Sequence, residues 1–182
     1  MSKQTEILGA LPLHAENGLL SQEGWARHPY WRYRRSAVPA SAWKIKEWDY
    51  YAVMSADQQF AIGLTASNLG YAGLYAICFV DLANGHSYQT DALQALPLTR
   101  HAFPEQAADG EVRFDSKQLS LHFITEAGQR RLRFASPTLQ GPNGRGIEGE
   151  ICLPQPAGLE SMNIATSWAE NRKAFYYNSK IN

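Results

Sequence analysis

Tyr71-Ala72-Gly73-Leu74-Tyr75-Ala76-Ile77-Cys78-Phe79-Val80 runs into Asp81-Leu82-Ala83-Asn84-Gly85, and the reading of that junction decides the fold. An uncharged run, then Asn-Gly, then a polar-apolar run is the strongest short hairpin signal. A two-residue type I′ turn needs positive φ at both central positions, which Asn and Gly tolerate. Working outward, period-two alternation recurs. Phe60, Ile62 and Leu64 alternate with Ala61, Gly63 and Thr65, and Val112 and Phe114 with Glu111, Arg113 and Asp115. Leu119, Leu121 and Phe123 alternate with Ser120 and His122, and Leu132 and Phe134 with Arg131 and Arg133. Ile147, Gly149, Ile151 and Leu153 alternate with Glu148, Glu150 and Cys152. Successive side chains of a strand point to opposite faces, so each pattern fits a half-buried strand. Asn68 with Gly70, Ser116-Lys117 and Ala127-Gly128 separate the strands. The best helix candidate is the short stretch 91–96, cut off by Pro97. The expected fold is all-β, an antiparallel barrel or strongly curved sandwich.

The first forty residues break the pattern. They hold Pro12, Pro29 and Pro39 and the run from Trp25 to Arg35, in which arginines interleave with aromatics. An extended arm over residues 1–42, packed on a barrel lobe of residues 43–182, is the expected organisation. The interleaving could suit a nucleic-acid arm. The plainer reading places the aromatics on the protein body with the arginines over them or in water.

The chain has 182 residues and 20.3 kDa, about one domain's worth. Lys+Arg and Asp+Glu are each 17, so the net charge is zero and no basic face for nucleic acid is expected. Hydrophobic residues make up 45% and charged residues 19%, which argues against wholesale disorder. Two distant cysteines, Cys78 and Cys152, make neither a disulfide scaffold nor a zinc motif. The five histidines show no H-x-x-x-H spacing, so neither a metal nor another cofactor is expected. Residues 7–13 are too short for a signal sequence and no apolar run reaches 18 residues. The expected compartment is the cytoplasm, without integral membrane association.

Literal motifs fail on context. Gly144-Arg145-Gly146-Ile147-Glu148-Gly149 matches G-x-G-x-x-G, but its neighbours read as a loop over 137–142 and a strand over 150–153. A dinucleotide fingerprint needs a strand before and a helix after. Ser167-Trp168-Ala169-Glu170 has capping-box spacing with no apolar helical run behind it.

The densest cluster is Lys44-Ile45-Lys46-Glu47-Trp48-Asp49-Tyr50-Tyr51. On a strand, Trp48, Tyr50, Ala52 and Met54 share one face; Glu47, Asp49, Tyr51 and Val53 share the other. With the first face inward, the strand makes an aromatic pocket wall. With the second inward, Glu47 and Asp49 become paired buried carboxylates whose pKa values split, as acid/base chemistry needs. The aromatic wall is the cheaper arrangement, because a buried carboxylate must find a partner. Asp81 either anchors the Asn84-Gly85 turn or stands at a cavity mouth, and His122 is a wall residue or a proton donor. Phe175-Tyr176-Tyr177 reads as another aromatic strand.

Gly24-Trp25 with Arg27 and Pro29, the block 46–51, Gly70-Tyr71-Ala72-Gly73, and the blocks 168–171 and 175–182 together resemble the bacterial family called domain of unknown function 2804. The resemblance runs from about residue 7 to the end. That family is similar in architecture to the lipocalin-like hydroxyneurosporene synthase, or carotenoid 1,2-hydratase, group and to tocopherol cyclase. The resemblance implies a calycin-like barrel and an apolar, isoprenoid-like ligand. It also implies a chain about half the family's length, hence an N-terminal lobe.

The leading expectation is therefore a small hydrophobic ligand in a barrel cavity lined by Trp48, Tyr50, Tyr71, Tyr75 and Phe79, with Tyr177 as a further aromatic contact. The alternatives are a hydratase, cyclase or isomerase with Asp49, Glu47, Asp81 or His122 as proton donor, and a structural lobe that needs a partner lobe. The strand 71–80 is apolar on both faces, so something is expected to cover its outside. The arm, an absent second lobe and a second copy of this chain are the alternatives.

Overall fold

The computed structural model describes residues 4–95, 103–126, 128–168 and 174–181. In chain order the strands are β1 (Leu11–Pro12), β2 (Gly24–Ala26), β3 (Trp31–Arg32), β4 (Glu47–Met54), β5 (Phe60–Asn68), β6 (Ala72–Asp81) and β7 (His86–Ala95). They continue as β8 (Gly110–Asp115), β9 (Ser120–Glu126), β10 (Gln129–Gly141), β11 (Gly144–Pro154), β12 (Ser161–Ser167) and β13 (Phe175–Ile181). The fold is all-β: among the described residues there is one 3-10 turn, Arg35–Ala37, and no α-helix. Among the described residues pairing is antiparallel except for the two-residue parallel contact of β1 with β3 and a parallel bridge of Glu6 with Trp25.

The chain forms two compact units. The larger takes Ser41–Pro104 and Asp109–Pro154; the smaller takes Met1–Ala40, Glu105–Ala108 and Gln155–Asn182. This differs from the expected division into 1–42 and 43–182. Strand β12 pairs with β2 through residues 163–165, and β13 pairs with β12, so these strands group with the N-terminal segment.

In the larger unit, consecutive hairpins build two four-stranded sheets, ordered β4-β5-β6-β7 and β11-β10-β9-β8. The described strands make two sheets that face each other across one core, not a single closed ring. Leu64, Ile77, Leu121 and Leu132 are buried there. Each contributes about 1.5–3 kcal/mol by leaving water. Tyr75 of β6 stacks on Phe114 of β8 with centroids 3.7 Å apart and planes at 5°.

Alternation holds where the sequence showed it, and the structure extends it. Residues 91–95, inside the expected helix, belong to β7: ten consecutive pairs with β6 outweigh a weak local preference. Residues 137–141, expected as a loop, continue β10 past a register shift between Ser136 and Gln140. The G-x-G-x-x-G run therefore lies in the β10–β11 hairpin with no helix after it, and the Phe134 ring covers Gly149.

The hairpin after β6 is also longer than the two-residue turn expected from Asn84-Gly85. Residues 82–85 form the connection, and Gly85 has φ +69° while Asn84 does not enter the left-handed region. Asp81 is the reason. Its Oδ1 accepts the Asn84 backbone N–H at 3.0 Å and its Oδ2 accepts Asn84 Nδ2 at 2.9 Å, which holds a wider turn. The expected helix's Leu96, and also His101, Ala127, residues 169–171 and Asn182, lie outside the described residues.

The smaller unit has its own core of Ile7, Leu13, Leu20, Ala26, Trp31 and Ala165. A three-stranded sheet, β13-β12-β2, joins the two ends of the chain. Asn163, fully buried, donates from Nδ2 to the Ala26 carbonyl at 3.3 Å and to Ser161 Oγ at 2.9 Å. Gly24 has φ +156°, and a Cβ there would overlap the Thr5 carbonyl oxygen, which accepts the Trp25 N–H at 3.0 Å. The N-terminal segment is thus a paired part of this unit, not a loose arm. Arg27 lies over the Trp25 ring at 5.6 Å and bridges Glu6 at 3.3 Å and Glu160 at 3.1 Å. These contacts match the plainer reading of the arginine-aromatic run.

Candidate functional site

The orientation of β4 corrects the expected aromatic wall. Glu47, Asp49, Tyr51 and Val53 face the core, while Trp48, Tyr50, Ala52 and Met54 face outward. Trp48 is 43% and Tyr50 61% exposed. Inward, this strand meets β9 and β10, where Arg130 touches Tyr51 and its charge acts on Asp49. Arg130 Nη1 donates to the Tyr51 hydroxyl at 2.9 Å, and the guanidinium lies 6.0 Å from the Tyr51 ring centroid. Thr125, the cross-strand neighbour of Arg130, also hydrogen-bonds Tyr51. The Phe123 ring meets Tyr51 edge-on at 4.9 Å.

Burial pushes the Asp49 carboxyl above its ordinary range. The Arg130 charge opposes that rise and the Glu47 charge adds to it. Burial, and then the Asp49 charge, likewise raise the Tyr51 phenol. Around these groups the surface is apolar: Asp49 pairs with Ala66, Ala66 pairs with Tyr75, and both are buried. A cation, a phenol and a hydroxyl thus meet at β4, an edge strand of its sheet, within reach of the Asp49 and Glu47 charges and beside an apolar core.

Of the remaining expected site residues, Glu47 stays on the inward face beside Asp49 and the others lie elsewhere. Glu47 begins β4 and pairs with Asn68. Asp81 is committed to its turn, and its bonds to Asn84 hold the carboxyl below the ordinary range. His122 faces outward from β9 and meets Glu111 Oε1 at 2.6 Å. It borders an open groove of about 720 Å³ whose walls include Arg113, Asp115, Arg133, Glu148 and Glu150. That face is laced by ion pairs, among them Arg113–Asp115 at 2.8 Å and Arg133–Glu150.

Tyr75 is packed in the core, and burial pushes its phenol up to about 12. Phe79 stacks on Phe60 at 5.5 Å and meets the tilted Tyr88 ring at 6.4 Å. Tyr71 is 52% exposed, with Lys46 Nζ 4.5 Å above its ring. Tyr177 belongs to the smaller unit, 6.0 Å from Trp31, and burial pushes its phenol up to about 12. Within the larger unit, Trp48 and Tyr50 therefore stand on the opposite face of the sheet from Tyr75 and Phe79.

Arg130, Tyr51 and Thr125 are the cluster members that sequence reasoning missed. The signal for Arg130 was present: it has the same parity as Leu132 and Phe134, which puts a cation on the apolar face of an alternating strand. Among the described residues no three His, Cys, Asp or Glu side chains are grouped to hold a metal ion, and no helix is long and apolar enough to cross a membrane.

Fold and site define an all-β protein whose paired antiparallel sheets enclose an apolar core with one mixed charged cluster. The chain belongs to the family described as Domain of unknown function (DUF2804), which it matches over residues 4–182. No curated protein and no solved structure matches it.

Proposed function

We propose that the larger unit binds a small hydrophobic, lipid- or isoprenoid-like molecule between its sheets, with Arg130, Tyr51 and Asp49 at the polar end of the site. The observation behind this reading is the Asp49–Tyr51–Arg130 cluster beside an apolar core. Ligand sites are mostly apolar, with a few placed polar groups that fix orientation. Arg130 and Tyr51 supply donors for an oxygen-bearing head, and the rows of Leu, Ile and Phe behind them suit a hydrocarbon tail. In this proposal the two sheets are an opened lipocalin-like barrel, and the kinship extends to the carotenoid 1,2-hydratase and tocopherol cyclase group.

The raised Asp49 carboxyl favours a second reading, acid-catalysed hydration of a polyene. Asp49 gives its proton to one alkene carbon, water oxygen bonds the resulting cation, and the proton that water releases returns to the Asp49 carboxylate. Arg130 steadies the carboxylate between the two transfers.

Mass spectrometry of an organic extract of the purified chain, with binding of a fluorescent fatty acid as probe, tests both readings. A retained lipid, with probe affinity reduced about tenfold or more in Arg130→Met, supports binding. Turnover of an added polyene that Asp49→Asn abolishes, with probe binding kept, supports catalysis. An empty extract, no probe binding and no turnover overturn both.

A further inference from the structure

The outer face of the sheet β4-β5-β6-β7 differs from the outer face of its companion. The companion carries the ion-paired lattice of Arg113, Asp115, His122, Arg133 and Glu150. Register places eighteen residues of β4 to β7 on the other outer face, and Asp91 is its one charge. Large apolar side chains stand open there: Leu93 is 70% exposed, Met54 58% and Trp48 43%. Four strands about 4.8 Å apart and eight residues of about 3.4 Å each span about 500 Å² of sheet. That footprint, polar positions included, is of the same order as the largest apolar patch of a typical monomer, about 300–600 Å².

We infer that this face is a homodimer interface, in which a second copy of the chain lies across it on a two-fold axis parallel to the strands. Such an axis sets β4 of one copy over β7 of its partner. The bulk is distributed to suit it: β4 carries Trp48, Tyr50 and Met54, while the facing positions on β7 include Ser87, Gln89 and Asp91.

Cross-strand rows then fix the pairing. Trp48 and Leu93 end one row, so each Trp48 faces the partner's Leu93. Tyr50 and Asp91 end the next row, so the face's single carboxylate meets a phenolic donor from the other copy. Stacked sheets cross at about 30°, which shifts these edge strands by about 4 Å, less than the roughly 7 Å between rows. The alternative axis, perpendicular to the strands, would set β4 on β4 and bring the two Asp91 carboxylates together. Two faces of this size remove about 1,000 Å², the floor for a specific interface, before side-chain relief is counted.

Sedimentation equilibrium of the full chain at several concentrations tests the inference. The wild type is expected to be a dimer. Trp48→Glu and Leu93→Lys, both at exposed positions, are each expected to weaken association at least about tenfold, since each places two charges per dimer against hydrocarbon. An equimolar mixture of the two variants is expected to recover a heterodimer, because one Trp48–Leu93 contact is then native and the other is Glu against Lys. Unchanged circular dichroism of each variant separates lost association from lost folding. A wild type that stays monomeric at every concentration, a dimer indifferent to both substitutions, or variants that fail to recover on mixing would overturn the inference. So would a monomer that uses this face to bind phosphatidylcholine vesicles.

Discussion

Tyr75 and Phe114 lie ring on ring, 3.7 Å apart and within 5° of parallel, and they belong to different sheets. The stack is a rivet between two layers that share no strand pairing among the described residues. Phe114→Ala is expected to lower the unfolding free energy by about 3–5 kcal/mol, through lost burial and the cavity left beside Tyr75. Urea denaturation measures it. A loss below about 1 kcal/mol would show that the layers are held together elsewhere.

The two aspartates give pH dependences of opposite sign. Asp49 holds its proton more tightly in the folded state than in the unfolded chain, so folding takes up protons between the ordinary carboxylate value near 3.9 and the raised native one. Its favourable contribution is full below that window and is lost as pH rises through it. Asp49→Asn should therefore raise the thermal midpoint at about pH 7 and give no gain at about pH 3. Asp81 is depressed by its bonds to Asn84, so its contribution is present above about 3.9 and fades as pH falls toward the native value. Asp81→Asn should lower the midpoint at neutral pH and approach parity in strong acid. Equal effects of either substitution at both pH values would contradict these assignments.

Asn163 ties β12 to β2 from a position with no solvent contact. Asn163→Ala leaves the Ala26 carbonyl without that donor and should cost about 1–3 kcal/mol. The loss should appear first as faster amide exchange in the smaller unit. Protection that falls only in β4 to β11 would refute the assignment.

Gly24→Ala is expected to cost at least about 1–3 kcal/mol, because its methyl group would overlap the backbone of Thr5. The Ile7 amide, bonded to the Trp25 carbonyl at 2.8 Å, should lose protection from hydrogen exchange. A variant with wild-type protection at Ile7 would show that the chain relaxes around the added carbon.

Most strands were legible because Leu, Ile and Phe alternate with polar residues, and a half-buried sheet needs nothing more to be recognised. The inward face of β4 was not legible. Its aromatic and acidic faces are both chemically plausible interiors, and the choice turned on Arg130, about eighty residues away. No local pattern states that partnership, although the parity of Arg130 with Leu132 and Phe134 hinted at it. The division into units was hidden for the same reason: the N-terminal segment has no period of its own because its pairing partner is β12. The turn after β6 was read from Asn84-Gly85 alone, while the side chain that sets its width is Asp81.

The pairing of β2 with β12 also orders events in time. Asn163 reaches Ala26 across 137 residues of chain. At a synthesis rate of about 5–20 residues per second, β2 leaves the ribosome about 7–27 seconds before its partner exists. The hairpins from β4 to β11 lie within that interval, and each can close as soon as its own second strand emerges. Strand β2 is thus made before the hairpins from β4 to β11 and protected after them. During that wait, Leu13, Leu20 and Trp31 are presented to chaperones and proteases without the core that Ala165 completes.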